Sequence, residues 1–240
     1  MKKGTKIAIA IIVIVLILAA CIAFFVIKDL NQEKTLISEL DSLYNLIEAD
    51  NIDYTEVDKK LDQRVTSGDY EVLESSIKTY ISDIMKSIEE LEKVCTNEDA
   101  YTVLSAENIK NDGPDFTKSK QLLSDTKNNL AKITSDLDTY FTEEKTMTYI
   151  NDKNLDDYYI NLFKDYVFED KSSALENEKN NYSKNLEKLN SILSTEEDAI
   201  NLLAKNKRSW NLENDTIVFN AKSLSNEYNK LVDKLSDLSK

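Results

Sequence analysis

YEVLESSIKTYISDIMKSIEELEKVC, residues 70–95, decides the fold. Apolar residues recur at Ile77, Ile81, Ile84, Ile88, Leu91 and Cys95, in alternating steps of four and three. A helix turning once every 3.6 residues returns those side chains to one face, so the repeat is that of a bundle or coiled-coil seam. No glycine or proline interrupts the stretch. It is predicted to be one helix of about 40 Å.

The same rhythm extends in both directions. Downstream, Asn111-Asp112-Gly113-Pro114-Asp115 is the strongest turn signal in the chain. After it, Leu123, Thr126, Leu130, Ile133, Leu137 and Tyr140 repeat the spacing, which predicts a second long helix packed antiparallel to the first. The connection Thr96 to Pro114 is expected to hold a short helix around 98–107. Thr142-Glu143-Glu144 reads as a helix start and Asn151-Asp152 as its stop. Leu155 to Phe168 forms an aromatic block. Residues 171–193 read as a helix with Leu175, Tyr182, Leu186, Leu189 and Leu193 on one face. Ser194-Thr195-Glu196-Glu197 fits a capping box that would open a separate helix ending near Lys207. Residues 221–238 repeat the seam at Leu224, Tyr228, Leu231, Leu235 and Leu238. Between them Trp210, Leu212, Ile217 and Phe219 alternate with polar residues about Asn214-Asp215, the pattern of a small β-hairpin near 210–219.

Upstream, Ser67-Gly68-Asp69 breaks the chain before the seam helix, and a short helix is expected over 55–65. Leu36, Leu40, Leu43 and Ile47 mark a helical stalk over 28–50. Ahead of it, Ile7 to Ile27 is a run of twenty-one apolar residues behind Lys2, Lys3 and Lys6. About twenty residues of helix span a bilayer, so 7–27 is predicted to be a transmembrane signal anchor. Lysine collects on the cytoplasmic flank, which places 1–6 inside and the remainder outside. The fold class is therefore all-α. An N-terminal transmembrane helix leads into a stalk, followed by an elongated extracytoplasmic helical bundle over 51–240. Leu18-Ala19-Ala20-Cys21 also resembles a bacterial lipobox, which would make Cys21 a lipidation site. Against cleavage there, Ile22 to Ile27 continues the apolar run.

Composition narrows the function. The chain carries 30 basic and 44 acidic residues, a formal charge of −14, and only Arg64 and Arg208 as arginines. Nucleic acid is excluded as an expected partner, since phosphate binding needs a basic footprint. There is no histidine, which removes histidine triads and histidine metal sites. Three glycines and one proline leave little material for phosphate loops or oxyanion turns. Cys95 has no disulfide partner after the span, and in register with the seam it reads as a small buried hydrophobe.

Four further features invite a functional reading. Asp152-Lys153-Asn154-Leu155-Asp156-Asp157 opens like a calcium loop, yet the sixth position is Asp157 rather than glycine and the twelfth is Phe163 rather than glutamate. The stretch is better read as acidic residues at a helix start. Tyr158, Tyr159 and Phe163 could line a ligand or partner contact, although Tyr159, Phe163 and Tyr166 share one helical face suited to a core. Trp210 could anchor a partner or close the end of the bundle. Thr-Glu-Glu recurs at Thr142 and Thr195, which reads as a repeated cap rather than a duplicated unit.

No catalytic residue, cofactor or metal site is expected. The layout is similar to that of N-terminally anchored helical proteins of bacterial envelopes, a likeness of architecture that transfers no residue roles. The sequence predicts a single-pass plasma-membrane protein of the cell envelope. It would be a non-enzymatic interaction or structural protein with an envelope protein as partner. The alternative is a ligand-binding accessory lipoprotein or module serving a membrane partner.

Overall fold

The computed structural model describes residues 31–47, 49, 52–167 and 172–239, with backbone alone for 172–182. Nine α-helices and one two-stranded antiparallel sheet make up the described residues. The helices are α1 (Asn31–Ile47), α2 (Tyr54–Asp62), α3 (Asp69–Thr96), α4 (Ala106–Asp112) and α5 (Thr117–Tyr140). They continue with α6 (Glu143–Met147), α7 (Asp157–Val167), α8 (Ser172–Lys205) and α9 (Lys222–Leu238). The strands β1 (Trp210–Glu213) and β2 (Thr216–Phe219) separate α8 from α9. The expected helical class with one hairpin is what the structure shows. Among the described residues no helix is long and apolar enough to cross a membrane. The predicted span 7–27, the tail 1–6 and Cys21 lie outside the described residues.

Local chemistry sets the helix ends. The Asp53 carboxylate accepts from the Thr55 and Glu56 amides at 3.0 and 3.1 Å and starts α2. Gly68 takes φ +62°, a left-handed conformation open to glycine, and α3 follows with Asp69 and Glu71 in its first turn. A Cβ on Gly113 would stand 2.5 Å from the Ile109 carbonyl oxygen, so glycine is required where α4 turns into α5. Asp112 reaches across that turn to accept from the Lys118 and Ser119 amides at 3.1 and 2.7 Å. These bonds outweigh its burial and hold its carboxyl below the usual range. Thr142 caps α6 by accepting from the Lys145 amide.

Two expectations are corrected. The segment 98–107 is not one helix but a 3₁₀ turn, Glu98–Tyr101, followed by α4. The Ser105 hydroxyl accepts from the Asn108 amide at 3.2 Å and so caps a new start. Ser194 begins no helix, because α8 runs unbroken from Ser172 to Lys205. Thr195 is fully buried, and its hydroxyl donates to the Ser191 carbonyl at 2.7 Å, inside the helix's own ladder. Thr142 and Thr195 therefore occupy unlike positions, one a cap and the other mid-helix.

Contacts divide the chain into two compact units, to both of which α3, α5 and α8 contribute residues. The first comprises the described residues up to Leu91 together with Thr134–Ser183. Its core holds the α1 stripe Leu36, Leu40, Leu43 and Ile47 and the α3 residues Ile77, Ile81, Ile84, Ile88 and Leu91. It also holds Leu137, Ile150 and Phe163. The hydroxyl of Tyr80 donates to the Tyr140 carbonyl and ties α3 to the C-terminal end of α5.

A buried ionic network sits inside this unit. The Lys78 ammonium is fully buried, 2.6 Å from Glu39 Oε1 and 2.7 Å from Glu74 Oε1, and donates to the Gln63 carbonyl at 2.9 Å. Lys60 holds the other Glu39 oxygen at 2.7 Å. Glu74 also accepts from the Val65 and Thr66 amides and from the Thr66 hydroxyl. Burial alone would raise both carboxyls. The lysines, with the Thr66 and Val65 donors on Glu74, outweigh it and hold both below their ordinary 4.5.

The second unit, Glu92–Ile133 with Lys184–Lys240, buries Leu123, Thr126, Leu130 and Ile133 of α5 and Leu186, Leu189, Leu193, Ile200 and Leu203 of α8. The hairpin pairs Trp210 with Phe219 and Leu212 with Ile217. Its turn residues Asn214 and Asp215 take φ +47° and +62°, as a two-residue type I′ turn demands. Phe219 packs on Tyr228 of α9 at 5.3 Å between ring centres. Past Tyr228, Leu231, Leu235 and Leu238 are only half-buried.

Replacing Lys78 with Met should cost about 3–5 kcal/mol in urea unfolding, because it strands Glu74 and weakens the pairing of Glu39. The wild-type contribution of the two lowered carboxyls is fully present above pH 4.5, and should be lost as pH falls through their depressed folded values. A stability profile flat down to pH 2 would contradict this assignment.

Candidate functional site

The first turns of α1 and α3 supply Glu33 and Tyr70, and α7 supplies Tyr158, Tyr159 and Tyr166, so that a carboxylate and four phenols meet in the first unit. Glu33 continues the α1 stripe one step before Leu36 and is 4% exposed. Its Oε2 accepts from the Tyr158 hydroxyl and its Oε1 from the Tyr166 hydroxyl, each at 3.4 Å. Tyr70, in the first turn of α3, stands 3.3 Å from Tyr158 between hydroxyl oxygens. Tyr159 meets Tyr70 edge to face at 5.2 Å and Tyr158 at 5.1 Å. Such T-shaped contacts set the positive ring edge against the negative face and fix ring orientation.

Three phenols of the cluster hold their protons tightly. Burial, then the phenol of Tyr158 and the charge of Glu33, raise Tyr70 well above its ordinary value. Burial and the Glu33 carboxylate do the same to Tyr166. Burial, Asp69 and Tyr158 raise Tyr159. These hydroxyls are hydrogen-bond donors near neutrality, not bases or nucleophiles. The arrangement presents one aromatic side chain from a braced platform. Tyr158 is 48% exposed, while Phe163 and Tyr166 are buried beneath it.

Of the residues singled out from sequence, the structure gathers Tyr158 and Tyr159 at this platform and places Phe163 in the core. Trp210 lies in the second unit. It is buried, donates from Nε1 to the Leu203 carbonyl at 2.8 Å, and stacks on Phe116 at 6.1 Å. Cys95 is buried as a seam residue, its thiol pushed up to about 12 by burial and the nearby Glu92 charge. Asp152, Asn154 and Asp156 are exposed ahead of α7, with Asn154 at φ +54°. Among the described residues no group of three or more side chains is placed to hold a metal ion.

Glu33, Tyr70 and Tyr166 had no functional reading from the sequence. One signal was present: Glu33 precedes Leu36, Leu40, Leu43 and Ile47 at heptad spacing, a charged residue on an apolar stripe. The Tyr70–Tyr158 pairing joins residues 88 positions apart and has no sequence signature. Compared with family models, with curated proteins and with solved structures, the chain matches none.

In a Cys21→Ser background the Cys95 thiol should resist thiol reagents at pH 8 in the folded protein and react fully in urea. Fast labelling of the native form would show that the seam opens around it.

Proposed function

We propose that the chain is a single-pass protein of a bacterial cell envelope. Residues 1–6 would lie in the cytoplasm, 7–27 in the plasma membrane, and the acidic helical part outside, acting by binding an envelope protein rather than by catalysis. The observation that carries the reading is the twenty-one-residue apolar run Ile7 to Ile27 behind Lys2, Lys3 and Lys6. The raised phenols of the tyrosine cluster and the protonated thiol of Cys95 support a non-catalytic role. Tyr158 is the contact residue of choice. A tyrosine already braced by neighbours loses little side-chain freedom on binding, which favours it as an anchor.

The test uses the full chain expressed in cells. Alkaline washing should leave it in the membrane, and protease added to cells stripped of wall should digest the part after residue 28. Mass spectrometry should find an uncleaved N-terminus. An acylated Cys21 would replace the transmembrane anchor with the lipoprotein alternative, and a protease-protected domain would overturn the orientation. A photo-crosslinker at position 158 should capture one reproducible envelope protein, and Tyr158→Ala should lower its recovery on the order of tenfold or more. Capture of nothing, or capture insensitive to Tyr158→Ala, would overturn the contact.

A further inference from the structure

Covalent chain length limits how far the tyrosine platform can stand from the apolar run. Tyr158 donates to Glu33, and Glu33 lies six residues after Ile27, where that run ends. Six residues reach about 21 Å fully extended and about 9 Å at helical rise. The Glu33 side chain and its 3.4 Å bond to Tyr158 add only a few ångströms more. With 7–27 in the bilayer, the Tyr158 hydroxyl therefore stays within about 30 Å of the hydrocarbon edge, of which headgroups fill about 5–8 Å. Whatever covers this ring must work close to the membrane surface.

The second observation is the charge around the ring. Asp156 and Asp157 directly precede Tyr158, and Asp69 directly precedes Tyr70. All three are exposed, and their carboxylates make no ion pair or hydrogen bond among the described residues. Burial first, then Asp69, Tyr158 and Asp156, raise the Tyr159 phenol, which places both carboxylates beside the platform. A fixed aromatic ring rimmed by unpaired carboxylates complements lysine or arginine, since the ring face and the carboxylates both attract a cation. A bilayer of anionic lipid would be repelled by the same three charges. The contact is also small. One ring and its rim cover far less than the roughly 800 Å² per partner of a standard stable interface. A partner confined to the same membrane meets the platform at a raised effective concentration, which offsets that small area.

We propose that the platform docks a cationic, membrane-proximal segment of an integral membrane protein. Lysine or arginine side chains of that segment lie against the Tyr158 ring and the Asp69, Asp156 and Asp157 carboxylates. This names the class of partner for the Tyr158 contact, and it rests on the membrane-anchored reading. A soluble envelope protein is not held in the layer beside the headgroups, whereas the flank of a transmembrane segment is always there.

The test uses the full chain in cells, with a photo-crosslinker at position 158. The captured protein should itself resist alkaline washing, and the joined peptide should carry lysine or arginine within about 20 residues of its own apolar span. Four EAAAK repeats inserted between Lys28 and Asp29 would lift the platform by up to about 30 Å and should lower capture at least tenfold. A soluble partner would be captured as before. Asp69→Asn, Asp156→Asn and Asp157→Asn together should lower capture about tenfold, and about 0.5 M salt should do the same. Asparagine serves a helix start as well as aspartate does, so these variants should keep the fold. Asp233→Asn, in the second unit, should change nothing. An anchored chain that captures nothing, only lipid, or a protein released by alkali would overturn the inference and leave the anchor standing. So would capture indifferent to the spacer or to the three carboxylates. A chain that alkaline washing itself releases would overturn the anchor, and this inference with it.

Discussion

One buried ammonium organises the first unit. Lys78 draws on α1 through Glu39, on its own helix through Glu74, and on the chain after α2 through the Gln63 carbonyl. The segment Gln63–Ser67 belongs to no helix, so its peptide groups need partners from elsewhere. Glu74 supplies acceptors for the Val65 and Thr66 amides, and Lys78 supplies a donor for Gln63. An apolar replacement of the whole set could match the packing but would orphan those backbone groups. The network also selects a register. Apolar seams repeat every 3.5 residues and tolerate slips of seven, whereas α1 shifted by one heptad would carry Glu39 away from both Lys60 and Lys78.

Much of this fold is readable in the amino acids because the helices carry their own periodicity. The bounds of α3 fall within one residue of those read from the Ile77-to-Cys95 repeat. The hairpin follows from alternation plus two residues that tolerate positive φ, Asn214 and Asp215. The misreadings share a cause. Ser194-Thr195-Glu196-Glu197 has the letters of a cap, but a hydroxyl residue caps only where the backbone leaves helical geometry. At Thr195 the preceding turn continues and the side chain bonds back to it. At Ser105 a cap does form, within a stretch whose composition suggested one uninterrupted helix.

The polar features were harder to read. Glu74 stands three residues before Ile77, in seam register, and so advertised a buried charge. Its partners Val65 and Thr66 come from the connection before α3, and no spacing rule names them. The tyrosine platform likewise joins residues of α1 and α3 with residues of α7. Such groupings are products of tertiary packing. A single chain encodes them only through which helix face each residue occupies, and facing elements must be known before the pairing can be seen.

The lone indole has a practical consequence. Trp210 sits in the second unit, which otherwise contains only Tyr101 and Tyr228 among the aromatic hydroxyls, while the other ten tyrosines belong to the first. Fluorescence excited at the indole alone therefore reports one unit, and tyrosine absorbance is weighted to the other. Nature has thus placed two optical labels that need no chemistry to attach. Their melting curves, recorded on one sample, would coincide for a single cooperative block and separate for two independently folding halves.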